Sequence, residues 1–110
     1  MQNSESNIKF NYEYRDAAGY RKSGHLTFIN SSGIEDLKEV EPLIRKYLFD
    51  TEFFYPYKLS VPSLHFEKWN HALDHDWYRF TGLEFTKEQN TDQRTFEVFL
   101  SDLQKLAKQP

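Results

Sequence analysis

At 110 residues the chain has the length of one domain with one modest core, and the lack of cysteine excludes a disulfide framework, thiol catalysis and thiolate zinc sites. Fourteen basic side chains against seventeen acidic leave a net charge of −3, the wrong sign for a protein that draws its affinity from phosphates. Mean hydropathy is −0.80, yet 17% of the residues are aromatic, which argues against disorder and leaves a few large rings to build the core.

Residues 1–6 are polar and expected to fray, with a single domain over 7–110. From Asn7 the chain alternates, with Ile8, Phe10, Tyr12 and Tyr14 on one side and Lys9, Asn11, Glu13 and Arg15 on the other. Strict period two predicts a half-buried strand. Residues 15–19 supply a short hairpin loop with Gly19 for a left-handed position, and alternation resumes through Tyr20, Lys22, Gly24, Leu26 and Phe28.

Asn30 to Gly33 form a turn and capping cluster. Beyond it Leu37, Val40, Ile44, Tyr47 and Leu48 draw one face of a helix, opened by Asp36 and Glu39 as a capping box. Pro42 removes one helical donor and clashes with the preceding turn. The expectation is therefore a loose turn over 34–38 and a regular helix over 38–50, with Pro42 near its first turn. The stretch 51–66, TEFFYPYKLSVPSLHF, allows short extended pieces at 53–55 and 64–66, but Pro56 and Pro62 forbid a long central strand. Residues 67–74 read as a helical turn whose Trp69, Ala72 and Leu73 face the core.

From Asp76 the chain reads as a strand in which Tyr78 and Phe80 share one phase while Leu83 and Phe85 share the other. A one-residue slip at Thr81-Gly82 restores a single apolar face. A final helix carries Phe96, Phe99, Leu100, Leu103 and Leu106 on one side, with Asp92 or Thr95 as N-cap and Lys105 and Lys108 in its last turn. The order β-β-α-(β)-β-α predicts an α+β two-layer sandwich: an antiparallel sheet of three to four strands with two helices on one face.

Four chemistries compete for the surface. His65, His71, His75 and Asp76 offer a ligand set suited to zinc, iron or manganese. Their spacing fits no strict ligand pattern, however, and a strand entrance capped by polar side chains is the better reading. Metal-dependent hydrolysis or metal binding thus stands as an alternative, and no cofactor is expected. Nucleophile elbows, P-loops and dinucleotide fingerprints are missing from the sequence, so no enzyme activity is expected. Sheet tyrosines Tyr12, Tyr14 and Tyr20, with Tyr57, are of the kind that stacks single-stranded bases, but alternating aromatics are also what the core beneath two helices requires.

Protein binding ranks first. Phe53, Phe54, Tyr55 and Tyr57 form an aromatic segment fixed by Pro56, with the composition of an interface hot spot. Glu39 and Glu41, within a segment of three basic and six acidic residues over 31–52, suit a partner with a basic surface. The expected role is that of an inhibitor, immunity or accessory subunit. Without an apolar run of about 20 residues or a secretory leader pattern, the expected location is the cytoplasm, with no membrane partner.

Overall fold

The computed structural model describes residues 6–15, 19–61 and 77–107. Several sequence expectations fall outside the described residues: the frayed terminus over 1–5 (Ser6, also expected to fray, is buried), the hairpin loop at 16–18, the extended piece at 64–66, the helical turn over 67–74, Lys108 and the whole histidine cluster. Four strands and two helices make an α+β fold, β1 (Asn7–Arg15), β2 (Arg21–Phe28), α1 (Leu37–Tyr47), β3 (Phe53–Phe54), β4 (Tyr78–Thr86) and α2 (Phe96–Ala107). The strands form one antiparallel sheet in the order β2-β1-β4-β3, and both helices contribute to the apolar core on its inner face.

Alternation places Ile8, Phe10, Tyr12 and Tyr14 of the central strand inward, all buried, and turns Lys9, Asn11 and Glu13 outward. The helices close over this face from two directions. Phe99 of α2 meets Phe10 edge-on at 4.9 Å and stacks on Phe28 at 4.5 Å. From α1, Ile44 is fully buried, and the Arg45 guanidinium lies over the Phe80 ring at 4.9 Å. Burial, with Tyr78 stacked alongside at 5.8 Å, pushes the Tyr12 hydroxyl up to about 12.

The phase slip in β4 is a β-bulge. Asn11 pairs with Gly82 while Tyr12 pairs with Phe80, leaving Thr81 unopposed and returning Leu83 and Phe85 to the inner side. Bulges add local twist, and this sheet is a curled half-barrel instead of a flat layer. Gly82 adopts φ +150, where an added Cβ would meet only Glu41 Oε1 at 3.6 Å. The position therefore penalises side chains through the backbone and not through crowding. Gly82→Ala should cost about 1 kcal/mol or more in urea unfolding.

The first helix differs from expectation at both ends. It starts at Leu37, with the Asp36 carboxylate accepting from the Lys38 N–H at 2.9 Å, and stops at Tyr47. Pro42 sits in the helix interior, beyond the expected first turn. The donor it lacks would have met the Lys38 carbonyl, and both residues lie on an exposed face of the helix, where the lost bond costs less than it would in the core. In α2 the Thr95 hydroxyl accepts from the Val98 N–H at 3.3 Å and serves as the cap. Among the described residues no helix is long and apolar enough to cross a membrane.

Candidate functional site: a ring cluster at the β3 edge

Period two divides the aromatic segment. Phe54 pairs with Tyr78 and points inward at 4% exposure, whereas its neighbour Phe53 pairs with Arg79 and points outward. Pro56 then opens a 3-10 turn over Pro56–Lys58 that buries Leu59 and leaves Tyr57 66% exposed. Of the expected contact residues, Phe53, Tyr55 and Tyr57 therefore share a surface, while Phe54 belongs to the core and shows only a small part of its ring, at the floor of the neighbouring groove. Glu39 and Glu41 lie elsewhere. Glu39 is some two turns upstream of Tyr47, about 12 Å along the helix, and Glu41 leans toward the β4 bulge.

Two further rings complete the cluster. Phe49, 38% exposed, stacks on Tyr55 at 5.4 Å, tilts against Phe53 at 5.4 Å and meets Trp77 edge-on at 6.0 Å. Tyr55 touches Tyr57 at 5.8 Å and Trp77 at 6.5 Å, and Lys58 Nζ lies 5.0 Å over the Tyr55 ring. Sequence reasoning missed Phe49 because the helix was extended through it. No local signal marked the reversal, since Asp50 and Thr51 are not residues that favour its left-handed backbone; Phe49 and Phe53 pair across the three residues between them.

That turn holds the rings in place at a conformational cost. Asp50 and Thr51 take φ +52 and +59, the left-handed pair of a type I′ turn, and the Glu52 N–H reaches the Phe49 carbonyl at 3.2 Å. Left-handed backbone is unfavourable for a β-branched residue. Compensation comes from Arg45 Nη1, which donates to the Thr51 carbonyl at 3.0 Å. Strained backbone of this kind concentrates at functional surfaces. Thr51→Gly should raise the stability by about 1 kcal/mol in urea unfolding, because glycine adopts the same turn without strain.

Beside the rings a groove of about 340 Å³ opens, floored by Leu48, Phe54, Leu59 and Leu103 and rimmed by Lys46 and Lys58. On the other side of Phe53 a smaller recess of about 220 Å³ is lined by Glu13, Arg15, Trp77 and Arg79. Arg79 bridges Glu13 at 3.3 Å and Glu52 at 3.4 Å, an exposed network worth at most about 1 kcal/mol per pair.

Of the tyrosines suited to stacking bases, Tyr12 and Tyr14 are buried in the core, whereas Tyr20 and Tyr57 are exposed. Among the described residues no group of three or more His, Asp or Glu side chains is arranged to hold a metal ion. His65, His71, His75 and Asp76 lie outside the described residues. No family model, curated protein or solved structure matches the chain.

Proposed function

We propose that the chain is a non-enzymatic, cytoplasmic protein-binding module, an inhibitor, immunity or accessory subunit. Its contact surface is the ring cluster Phe49, Phe53, Tyr55, Tyr57 and Trp77. The observation that supports this reading is the contiguity of five rings at one sheet edge, two of them well exposed. They sit beside an apolar groove and are fixed by a strained turn. Rigid aromatic anchors lose little conformational freedom on binding, which is why such residues dominate interface energies.

The partner would insert an apolar side chain into the groove and bring a basic flank against Asp50. The net charge of −3 favours approach by a basic surface at long range. A partner reaching Glu39 as well would have to span the length of α1.

A photo-crosslinking amino acid at Tyr57 should capture this partner, whereas one at Gln104, exposed on α2, should not. The double substitution Phe49→Ala with Tyr57→Ala should then weaken the captured complex at least tenfold, about 1.4 kcal/mol, with an unchanged urea midpoint. Unchanged affinity, or a loss that only follows lost stability, refutes the proposal.

A further inference from the structure

The sheet has a second edge, on the far side from the ring cluster, formed by β2. Its distal half is sealed. The Thr27 carbonyl accepts from the N–H groups of Thr91 and Asp92 at 2.9 and 3.3 Å, the Thr27 N–H donates to Thr91 Oγ1 at 2.9 Å, and the Ile29 carbonyl accepts from the Phe96 N–H at 2.9 Å. Both backbone groups of Thr27 thus point away from β1. Period two carries that direction to His25, Ser23 and Arg21, where among the described residues no hydrogen bond reaches the outward groups. All three residues are exposed. Three N–H and three C=O groups therefore form an open strand edge.

Among the described residues the hairpin end of this edge is basic, while the Glu88 carboxylate acts on His25 at its other end. Arg15 and Arg21 stand directly opposite each other in the β1–β2 register, both exposed, and like charges so placed repel. Among the described residues neither has a carboxylate partner. The nearby Glu13 is turned to Arg79 on the other side of β1. His25 lies on the same outward row, beside the Glu88 carboxylate.

We propose that the Arg21–His25 edge of β2 takes an extended acidic segment of another protein as a fifth strand. Backbone hydrogen bonds would supply the affinity, and side-chain carboxylates on the added strand would relieve the Arg15–Arg21 repulsion. A second copy of this chain fits poorly, because antiparallel pairing centred on Ser23 would set each Arg21 beside the other copy's His25 and bring no carboxylate to it. The same charges that deter self-association select the acidic strand.

The probe is a fluorescein-labelled octapeptide of alternating valine and glutamate, followed by anisotropy. It should bind and slow amide exchange at Arg21, Ser23 and His25. Ser23→Pro removes one outward donor without touching the β1 ladder, as edge strands tolerate, and should weaken binding at least tenfold with the fold retained. Arg15→Glu with Arg21→Glu should do the same. Methylating alternate backbone nitrogens of the peptide leaves the protein untouched and should abolish binding. Equal binding of the methylated peptide would overturn the proposal, as would tighter competition by an oligothymidylate, which would mark a general polyanion site. Sedimentation as a dimer with the same amides protected would assign the edge to a second copy and equally overturn it.

Discussion

Phe10→Ala should lower the unfolding free energy by about 3–5 kcal/mol, a large share of the roughly 5–15 kcal/mol of an ordinary domain. The ring is fully buried on the central strand. It stacks on Phe80 at 4.9 Å and meets Phe54 and Phe99 edge-on at 5.5 and 4.9 Å, with Tyr12 at 6.2 Å. Those neighbours come from the same strand, two others and a helix, so removing the ring leaves a void that no single element can collapse into. Phe10→Leu keeps most of the volume and should cost no more than about 1.5 kcal/mol. Urea unfolding followed by far-ultraviolet circular dichroism measures both. A loss below about 1 kcal/mol for the alanine variant would contradict this packing.

Arg94→Met is expected to cost about 2–3 kcal/mol at neutral pH. The guanidinium donates to Asp92 through Nε at 2.9 Å and Nη2 at 2.7 Å, and to Asp102 through Nη1 at 3.2 Å. Its carbon lies 5.2 Å from the Phe99 ring centre and 5.8 Å from that of Phe28. One side chain therefore fastens the loop before α2 to the helix and to the core at once. These bonds, made chiefly by the Arg94 side chain, hold the Asp92 carboxyl below its ordinary value of 3.8.

A carboxyl depressed in the folded state stabilises fully above its unfolded value and ceases to do so as the pH falls through the folded one. Stability of the native chain should therefore decline below about pH 4. In the Arg94→Met variant that part of the decline should be missing, since the stabilisation is already gone. Arg94→Lys should rescue little, because an ammonium cannot reproduce the two-pronged contact.

The strands were legible because period two survives almost unbroken from Ile8 to Tyr14, and because Gly82 sits where the phase changes. The final helix was legible from Phe96, Phe99 and Leu103, which recur at helical spacing and are all buried. Where local and tertiary preferences disagreed, sequence was a poorer guide. Local rules placed Pro42 in the first turn, but its missing donor lies on an exposed face and the helix could afford to include it. The same rules ran α1 through Phe49, although Asp50 and Thr51 adopt a backbone that their side chains disfavour.

The candidate site followed the same division. Composition identified the aromatic segment but could not separate Phe53 from Phe54, because that assignment depends on which face of a two-residue strand meets the helices. Trp77 joined the cluster only through β3–β4 pairing, a contact with no local signature. The Arg94 network was invisible for a similar reason, since Asp102 approaches it from the far side of a helical turn.

The central position of β1 also sets the order in which this protein can be made. Its hairpin partner β2 follows immediately, but β4, which must zip along its other side, is translated roughly sixty residues later. At about 5–20 residues per second a ribosome needs some 3–12 s to supply it. During that interval the nascent chain presents Ile8, Phe10, Tyr12 and Tyr14 with one flank of the strand unsatisfied. Ribosome-associated chaperones should therefore engage this chain while β4 is still being synthesised and release it once Thr86 has cleared the exit tunnel.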